Sequence, residues 1–237
     1  LEFRRVLFRS QGFLALCKQH DTALAGGDIT SGNLSIGVTV MGEVPSGNAL
    51  TRSAARAGDI IAVTGALGGG AGGLALWQQG ERDLAHPLLK RYLLPVPRLA
   101  AGRALRGIAS SALDISDGVL ADLSHIRQAS GVGAVLDTTA LPLAEGLEKA
   151  LGPEKARQAA LSGGDDYELL VTIPASRWPQ AQAALAPLEL ALTAIGHCVE
   201  APGLMGVPAE ARTGWQHFAA HPSPDTRVSQ RCGGEPR

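Results

Sequence analysis

Six of the nine residues from Gly65 to Gly73 are glycine, and the run lies between an apolar segment and a helical one. Asp59-Ile-Ile-Ala-Val-Thr64 is short, β-branched and bounded by glycines, which predicts a buried strand. Leu74 to Gln79 then continues as a helix. A strand that turns into a helix through glycines permits two readings. Backbone N–H groups can face a phosphate there, or the glycines can let helix and strand pack closely. The run has no Lys-Ser/Thr ending of a Walker A motif. It also has no acidic residue about 20 positions on, as a dinucleotide fold would want.

The rest of the chain alternates in the same mixed fashion. Helices are expected over Gly12 to Ala25, Leu88 to Leu93, Arg98 to Ile108, Val119 to Ser130, Ala144 to Leu151, Glu154 to Leu161 and Ala175 to Ala186. Strands are expected over Leu34 to Met41, Gly133 to Asp137, Tyr167 to Ile173 and Leu190 to Gly196. Leu113 to Gly118 reads as a turn. No strict βαβ beat emerges, so the fold class is α+β rather than a doubly wound sheet. The first ten residues, Leu1 to Ser10, mix arginine and apolar residues without helical or strand logic and read as a foreign leader. Residues 221–237 are rich in Pro, Gly and Arg and read as a disordered tail.

Composition excludes some functions. The formal net charge is -1 and the pI about 6.7, which leaves no basic excess for a nucleic-acid backbone. No apolar run approaches the ~20 residues that cross a bilayer. Cys17, Cys198 and Cys232 match no zinc or redox spacing and fit a reducing, cytoplasmic setting. His125 and His197 share no ligand spacing.

Aspartate beside glycine or serine recurs at expected turns: Gly26-Gly-Asp28, Asp114-Ile-Ser-Asp-Gly118 and Gly163-Gly-Asp-Asp166. Asp-Gly pairs form turns well for purely conformational reasons. Three of them at the edges of apolar elements also suit magnesium, which takes one or two carboxylates and completes its shell with phosphate and water. Arg52 can clamp a phosphate through its fork of donors. Trp215, within Gly214-Trp-Gln-His-Phe218, can stack a flat heterocycle or cap the core.

Taken in order, these segments resemble the thiamine-monophosphate kinases of the aminoimidazole ribonucleotide synthetase-like superfamily. The resemblance is carried by Gly26-Gly-Asp-Ile-Thr30, Ala49-Leu-Thr-Arg-Ser53, Ala57-Gly-Asp59 through Val63-Thr-Gly65, and Arg91-Tyr-Leu-Leu-Pro-Val-Pro-Arg98. Ser111-Ala-Leu-Asp-Ile-Ser-Asp-Gly118 with Asp122-Leu123, Leu161-Ser-Gly-Gly-Asp-Asp-Tyr-Glu-Leu169 and Gly214 to Phe218 complete it. It implies a two-domain architecture. Residues 11–50 would be the remnant of an incomplete amino-terminal ATP- and metal-binding domain, and residues 51–220 a complete carboxy-terminal α/β-sandwich domain.

The resemblance also implies transfer of the ATP γ-phosphate to thiamine monophosphate, giving thiamine diphosphate and ADP, with Mg2+. Asp28, Asp114 and Asp117 would hold metal, while Gly27, Asp28, Arg52 and Ser116 would contact ATP. Asp165 and Trp215 would touch the thiamine substrate, although the family's usual residue at position 165 is Glu. Family members are homodimers joined through amino-terminal domains, so the chain as given is expected to be inactive, poorly dimeric and prone to aggregate through unpaired strand edges. Another ATP-dependent enzyme of the superfamily, or a non-catalytic nucleotide-binding module, are the alternatives.

Overall fold

The computed structural model describes residues 2–30, 32–33 and 35–208, with side chains from Ser10 onward. Trp215, Cys232 and the expected tail lie outside the described residues. The chain divides into two compact units, one ending at Glu43 and the other beginning at Val44. In the first unit, helix α1 spans Glu2–Gln19. It starts well before the expected Gly12, because Leu1 to Gln11 holds no glycine or proline to stop helix propagation. It also stops short of Gly26. Asp21 takes a left-handed conformation with φ 51, which aspartate tolerates. The N–H of Thr22 donates back to the Cys17 carbonyl at 2.9 Å and closes the end.

The expected strand from Leu34 to Met41 is absent among the described residues. The alternating pattern is present, yet no described strand lies beside it to take its backbone hydrogen bonds. Val40 and Met41 are 78% and 85% exposed.

The second unit is built on one six-stranded sheet. Its strands are β1 (Asp59–Thr64), β2 (Ser111–Asp114), β3 (Gly133–Leu136), β4 (Leu169–Pro174), β5 (Leu192–Val199) and β6 (Leu204–Met205). Their order is β2-β4-β1-β5-β3-β6, antiparallel throughout except for β3 beside β6. β1 is central and buried on both faces, as its unbroken apolar run requires. Ile61 and Val63 face α5 (Val119–Ser130) and α7 (Pro153–Ser162) through Val119, Leu123, Ile126 and Leu161. Ala62 faces the opposite layer, where α4 (Leu99–Ala104) and α8 (Trp178–Leu185) supply Ala101, Ala181 and Leu185. Each fully buried leucine or isoleucine contributes roughly 1.5–3 kcal/mol relative to exposure. The α+β expectation therefore holds, with helices on both sheet faces.

The glycine run becomes the start of α2 (Gly69–Gln78), which packs against α3 (Pro87–Leu93), α6 (Leu147–Leu151) and α7. A Cβ on Gly73 would run into the backbone carbonyl of Leu88 on α3, so this point of close approach has to be glycine. Close packing accounts for the run. Several boundaries also move. The expected turn at Leu113 begins inside β2, whose Ser111 pairs with Thr172 of β4. Their buried hydroxyls satisfy each other at 2.7 Å. α4 ends at Ala104 and not Ile108, since Gly107 turns the chain with φ 72. α6 begins after Gly146, because Ala144 N–H is held by the Leu67 carbonyl at 2.9 Å. Among the described residues, no helix is long and apolar enough to cross a membrane.

Candidate functional site

Edge strand β2 delivers Asp114 to its end, and α5 begins five residues later. The intervening turn is held from inside by Asp122, in the first turn of α5 and only 3% exposed. One oxygen of its carboxylate, Oδ2, accepts the backbone N–H of Ser116 at 3.0 Å and of Asp117 at 3.1 Å. Burial pushes the Asp122 carboxyl above its ordinary range. The two N–H groups pull the other way, while the negative charges of Asp117 and Asp114 push further up. Gly118 completes the turn at φ 103, with backbone of Ser162 2.8 Å from where a Cβ would stand. The Asp114 and Asp117 side chains accept no hydrogen bond or ion pair from the described residues.

The segment joining α7 to β4 docks on this turn. The N–H of Asp165 donates to the Ser116 carbonyl at 2.9 Å, and that of Tyr167 to the Ile115 carbonyl at 2.9 Å. Ile115 N–H returns a bond to the Glu168 carbonyl at 2.8 Å. This ladder forces Asp165 and Tyr167 into left-handed conformations, φ 65 and 52. For a bulky residue such as tyrosine that is uncommon, and it occurs where surrounding contacts over-determine the backbone. Tyr167 Oη donates to Asp165 Oδ1 at 2.9 Å. That bond raises the phenol's pKa, followed by burial and the charges of Asp165, Asp114 and Asp117. The phenol therefore senses all three outward carboxylates.

Two further acids of the same segment turn inward. Asp166 accepts the N–H of Gly68 at 2.7 Å through Oδ2 and of Gly70 at 3.1 Å through Oδ1. Burial raises its carboxyl to about 6; the two N–H bonds and Arg91 oppose this, and Glu168 adds to it. Glu168, 1% exposed, accepts a two-pronged contact from Arg98, Nε at 2.7 Å and Nη2 at 2.6 Å. It also takes the Thr64 hydroxyl at 2.8 Å and Arg91 Nη1 at 3.4 Å. The Glu168 carboxylate raises the Arg98 pKa, against the cost of burial.

The structure thus brings Asp114, Ser116, Asp117 and Asp165 together. Asp28, with Gly27, lies in the first unit, exposed, its Oδ1 accepting the N–H of Ile29 at 2.8 Å. The backbone of Arg52 accepts the Ser130 hydroxyl at 3.0 Å, and neighbouring Thr51 accepts Ala112 N–H of β2 at 3.1 Å. Arg52 therefore sits along the same sheet edge as Asp114, but no hydrogen bond or ion pair among the described residues joins its guanidinium to the turn. Trp215 lies outside the described residues. His125 and His197 are exposed. Cys198 is buried, which pushes its thiol up to about 11.

Sequence reasoning gave no role to Asp122, Glu168, Arg91 or Arg98 and saw Asp166 only as part of an acidic turn, although all five lie in the motifs that carried the resemblance. Among the described residues, no group of three or more His, Cys, Asp or Glu is gathered to hold a metal ion. A magnesium ion at Asp114 and Asp117 would complete its shell with phosphate oxygens and water, as that ion commonly does.

A mixed sheet with helices on both faces and acidic turns at one edge defines a class also seen in known proteins. Residues 56–206 match the family described as AIR synthase related protein, C-terminal domain. A thiamine-monophosphate kinase of Salmonella typhimurium is 41% identical over 220 residues, covering 89% of this chain and 68% of the relative. That of Escherichia coli is 44% identical over 191 residues, covering 79% of this chain and 59% of the relative. The crystal structure of thiamine-monophosphate kinase from Stenotrophomonas maltophilia superposes with a TM-score of 0.79 at 45% identity, over 86% of this chain and 66% of that one. AaThiL complexed with AMPPCP and TMP gives a TM-score of 0.61 at 34% identity, over 71% and 54%. The chain belongs to the thiamine-monophosphate kinase family of AIR synthase related proteins. It spans roughly three fifths to two thirds of the length of these relatives.

Proposed function

We propose that this chain is the larger part of an enzyme that transfers the γ-phosphate of ATP to thiamine monophosphate, releasing thiamine diphosphate and ADP. The observation that carries the reading is the docking of the Gly163–Tyr167 segment on the Asp114–Gly118 turn. It sets two unengaged carboxylates beside Asp165, the residue expected at the thiamine substrate. Membership of the family and the relative complexed with AMPPCP and TMP support it.

Both reactants are anions. A phosphomonoester with a second pKa near 6 is mostly dianionic at neutral pH, so its oxygen attacks without a strong general base. The work left to the protein is positioning and charge neutralisation. Asp114 and Asp117 would hold Mg2+, which when bound neutralises phosphate charge. Asp28 would likewise hold metal and, with Gly27, contact ATP, as the resemblance implies. The N–H of Ser116 is held by Asp122; its side chain would contact ATP, and Arg52 would add a fork of donors to the ATP phosphates. Asp165 is steadied by Tyr167 and meets the thiamine substrate, with Trp215. Transfer is direct and in line, with no phosphoenzyme. The working form is a cytoplasmic homodimer, and the present chain alone is inactive.

The test is phosphoryl transfer in a chain extended at its amino terminus to the length of the relatives. Thiamine monophosphate, thiamine and a purine-pathway amidine are offered side by side, with and without magnesium. Magnesium-dependent thiamine diphosphate from the monophosphate alone is expected. Asp114→Asn and Asp117→Asn should each raise the magnesium concentration at half-maximal rate by tenfold or more. ADP formation with the amidine only would replace the reading by another ATP-dependent enzyme of the superfamily. Trapping of a labelled, acid-stable phosphoprotein would refute direct transfer.

A further inference from the structure

We infer that Asp166 is the positioning residue of the Asp165–Tyr167 loop, acting by filling the anion seat at the start of α2 with the protein's own carboxylate. The substrate side of this inference rests on the function proposed above; the seat itself does not. A helix start preceded by glycines offers unpaired backbone N–H groups and a favourable field for an anion. Here the N–H groups of Gly68 and Gly70 are already taken, each by a different oxygen of Asp166. The glycine run is thus closed to phosphate and serves as a socket. The fit is backbone against backbone. A Cβ on Gly70 would stand 2.6 Å from the Asp165 carbonyl oxygen and 2.7 Å from that of Gly164. On its other side the same loop is tied to Ser116 and Ile115. Asp165 is therefore held between two anchors, the turn that carries Asp114 and Asp117 and the start of α2. Releasing the second anchor leaves its left-handed conformation supported from one side only.

The charged groups facing Asp166 are Arg91 of α3 and Glu168 of its own segment. With its carboxyl near 6, Asp166 is ionised above neutrality and presents both oxygens as acceptors. Asp166→Asn keeps the shape but offers one acceptor to two N–H groups, so one of them meets an NH2 group.

The experiment compares wild type with Asp166→Asn. Amide hydrogen exchange is measured on the present chain at pH 7.5, and steady-state kinetics on the extended chain. Exchange at Gly68 or Gly70, and at Asp165, should quicken at least tenfold in the variant, while the β1 amides stay protected. KM for thiamine monophosphate should rise about tenfold, with KM for ATP changed less than about twofold. Unaltered exchange at Gly68 and Gly70 would overturn the seat. Faster exchange there with Asp165 unaffected, or with both KM values moving equally, would reduce Asp166 to a helix cap and overturn the positioning role. If the extended wild type turns over no thiamine monophosphate, the functional reading fails, and exchange at Asp165 still decides the positioning.

Discussion

Replacing Glu168 by Gln tests whether the docked loop depends on a buried charge. The carboxylate is 1% exposed and receives the fork of Arg98 at 2.6 and 2.7 Å, the Thr64 hydroxyl at 2.8 Å and a longer contact from Arg91. Glutamine preserves the volume but supplies one acceptor oxygen and a donor where the fork of Arg98 needs two acceptors. Hydrogen bonds to charged groups are worth about 1.5–3 kcal/mol each, and removing one partner of a buried ion pair costs about 3–5 kcal/mol. Arg98 and Arg91 keep 22% and 33% of their side-chain surface, so water recovers part of their loss. The expected destabilisation is therefore about 3 kcal/mol, the lower end of that range. For a unit of this size it corresponds to a fall in Tm of roughly 6–12 °C. Urea unfolding followed by circular dichroism should show a lower midpoint with an unchanged slope. Arg98→Met alone should cost a similar amount, and the double variant should cost about 2 kcal/mol less than the sum of the two. A loss below about 1 kcal/mol for Glu168→Gln, or strict additivity with Arg98→Met, would refute the reasoning.

Asp122 and Asp166 give two further expectations. Asp122 serves two N–H groups through a single oxygen, so Asp122→Asn can keep both bonds, whereas Asp122→Ala leaves two backbone donors without a partner. Urea unfolding should place the alanine variant about 1–3 kcal/mol below wild type and the asparagine variant within about 1 kcal/mol of it. The Asp166 carboxyl is raised from an ordinary 3.8 to about 6, so the fold binds this proton more tightly than the unfolded chain does. Its contribution is present below pH 3.8 and is lost as pH rises toward 6, by an amount on the order of 3 kcal/mol. Unfolding free energies measured between pH 4 and 7 should show that decline in wild type and a flatter profile in Asp166→Asn; identical profiles would contradict it.

Some of this was legible because local patterns were self-sufficient. β1 is an apolar run closed by Gly58 and Gly65, and α5 lies between Gly118 and the left-handed Gly131, so both spans match their expectation. β2 was hidden because Ser111-Ala-Leu-Asp114 carries no strand pattern of its own. It becomes a strand by pairing with β4, some sixty residues onward. The segment from Leu34 to Met41 shows the reverse, a pattern with no neighbouring strand among the described residues. The acidic turns were visible as turns, and the grouping of Asp114, Ser116, Asp117 and Asp165 was expected from resemblance. The anchors beneath them were not. Glu168 meets arginines 70 and 77 positions away, and nothing local in the sequence indicates which distant cation a glutamate will reach.

The two acidic motifs divide their carboxylates in the same way, and this resolves why Asp-Gly turns are ambiguous in a sequence. In Asp114-Ile-Ser-Asp-Gly with Asp122, two acids point outward without partners and the third turns in to hold the backbone of the turn. In Asp165-Asp-Tyr-Glu168, Asp165 is outward, while Asp166 and Glu168 are consumed by backbone N–H groups and arginines. A carboxylate already saturated by the fold has little left to offer a cation, and one facing water unpaired contributes little to folding. Stability is therefore carried by some members of each motif, and the others are left open for the metal and substrate contacts proposed above. Outward carboxylates of like charge repel, so a backbone tied down from inside is what keeps Asp114, Asp117 and Asp165 side by side, as the proposed metal and substrate contacts would require.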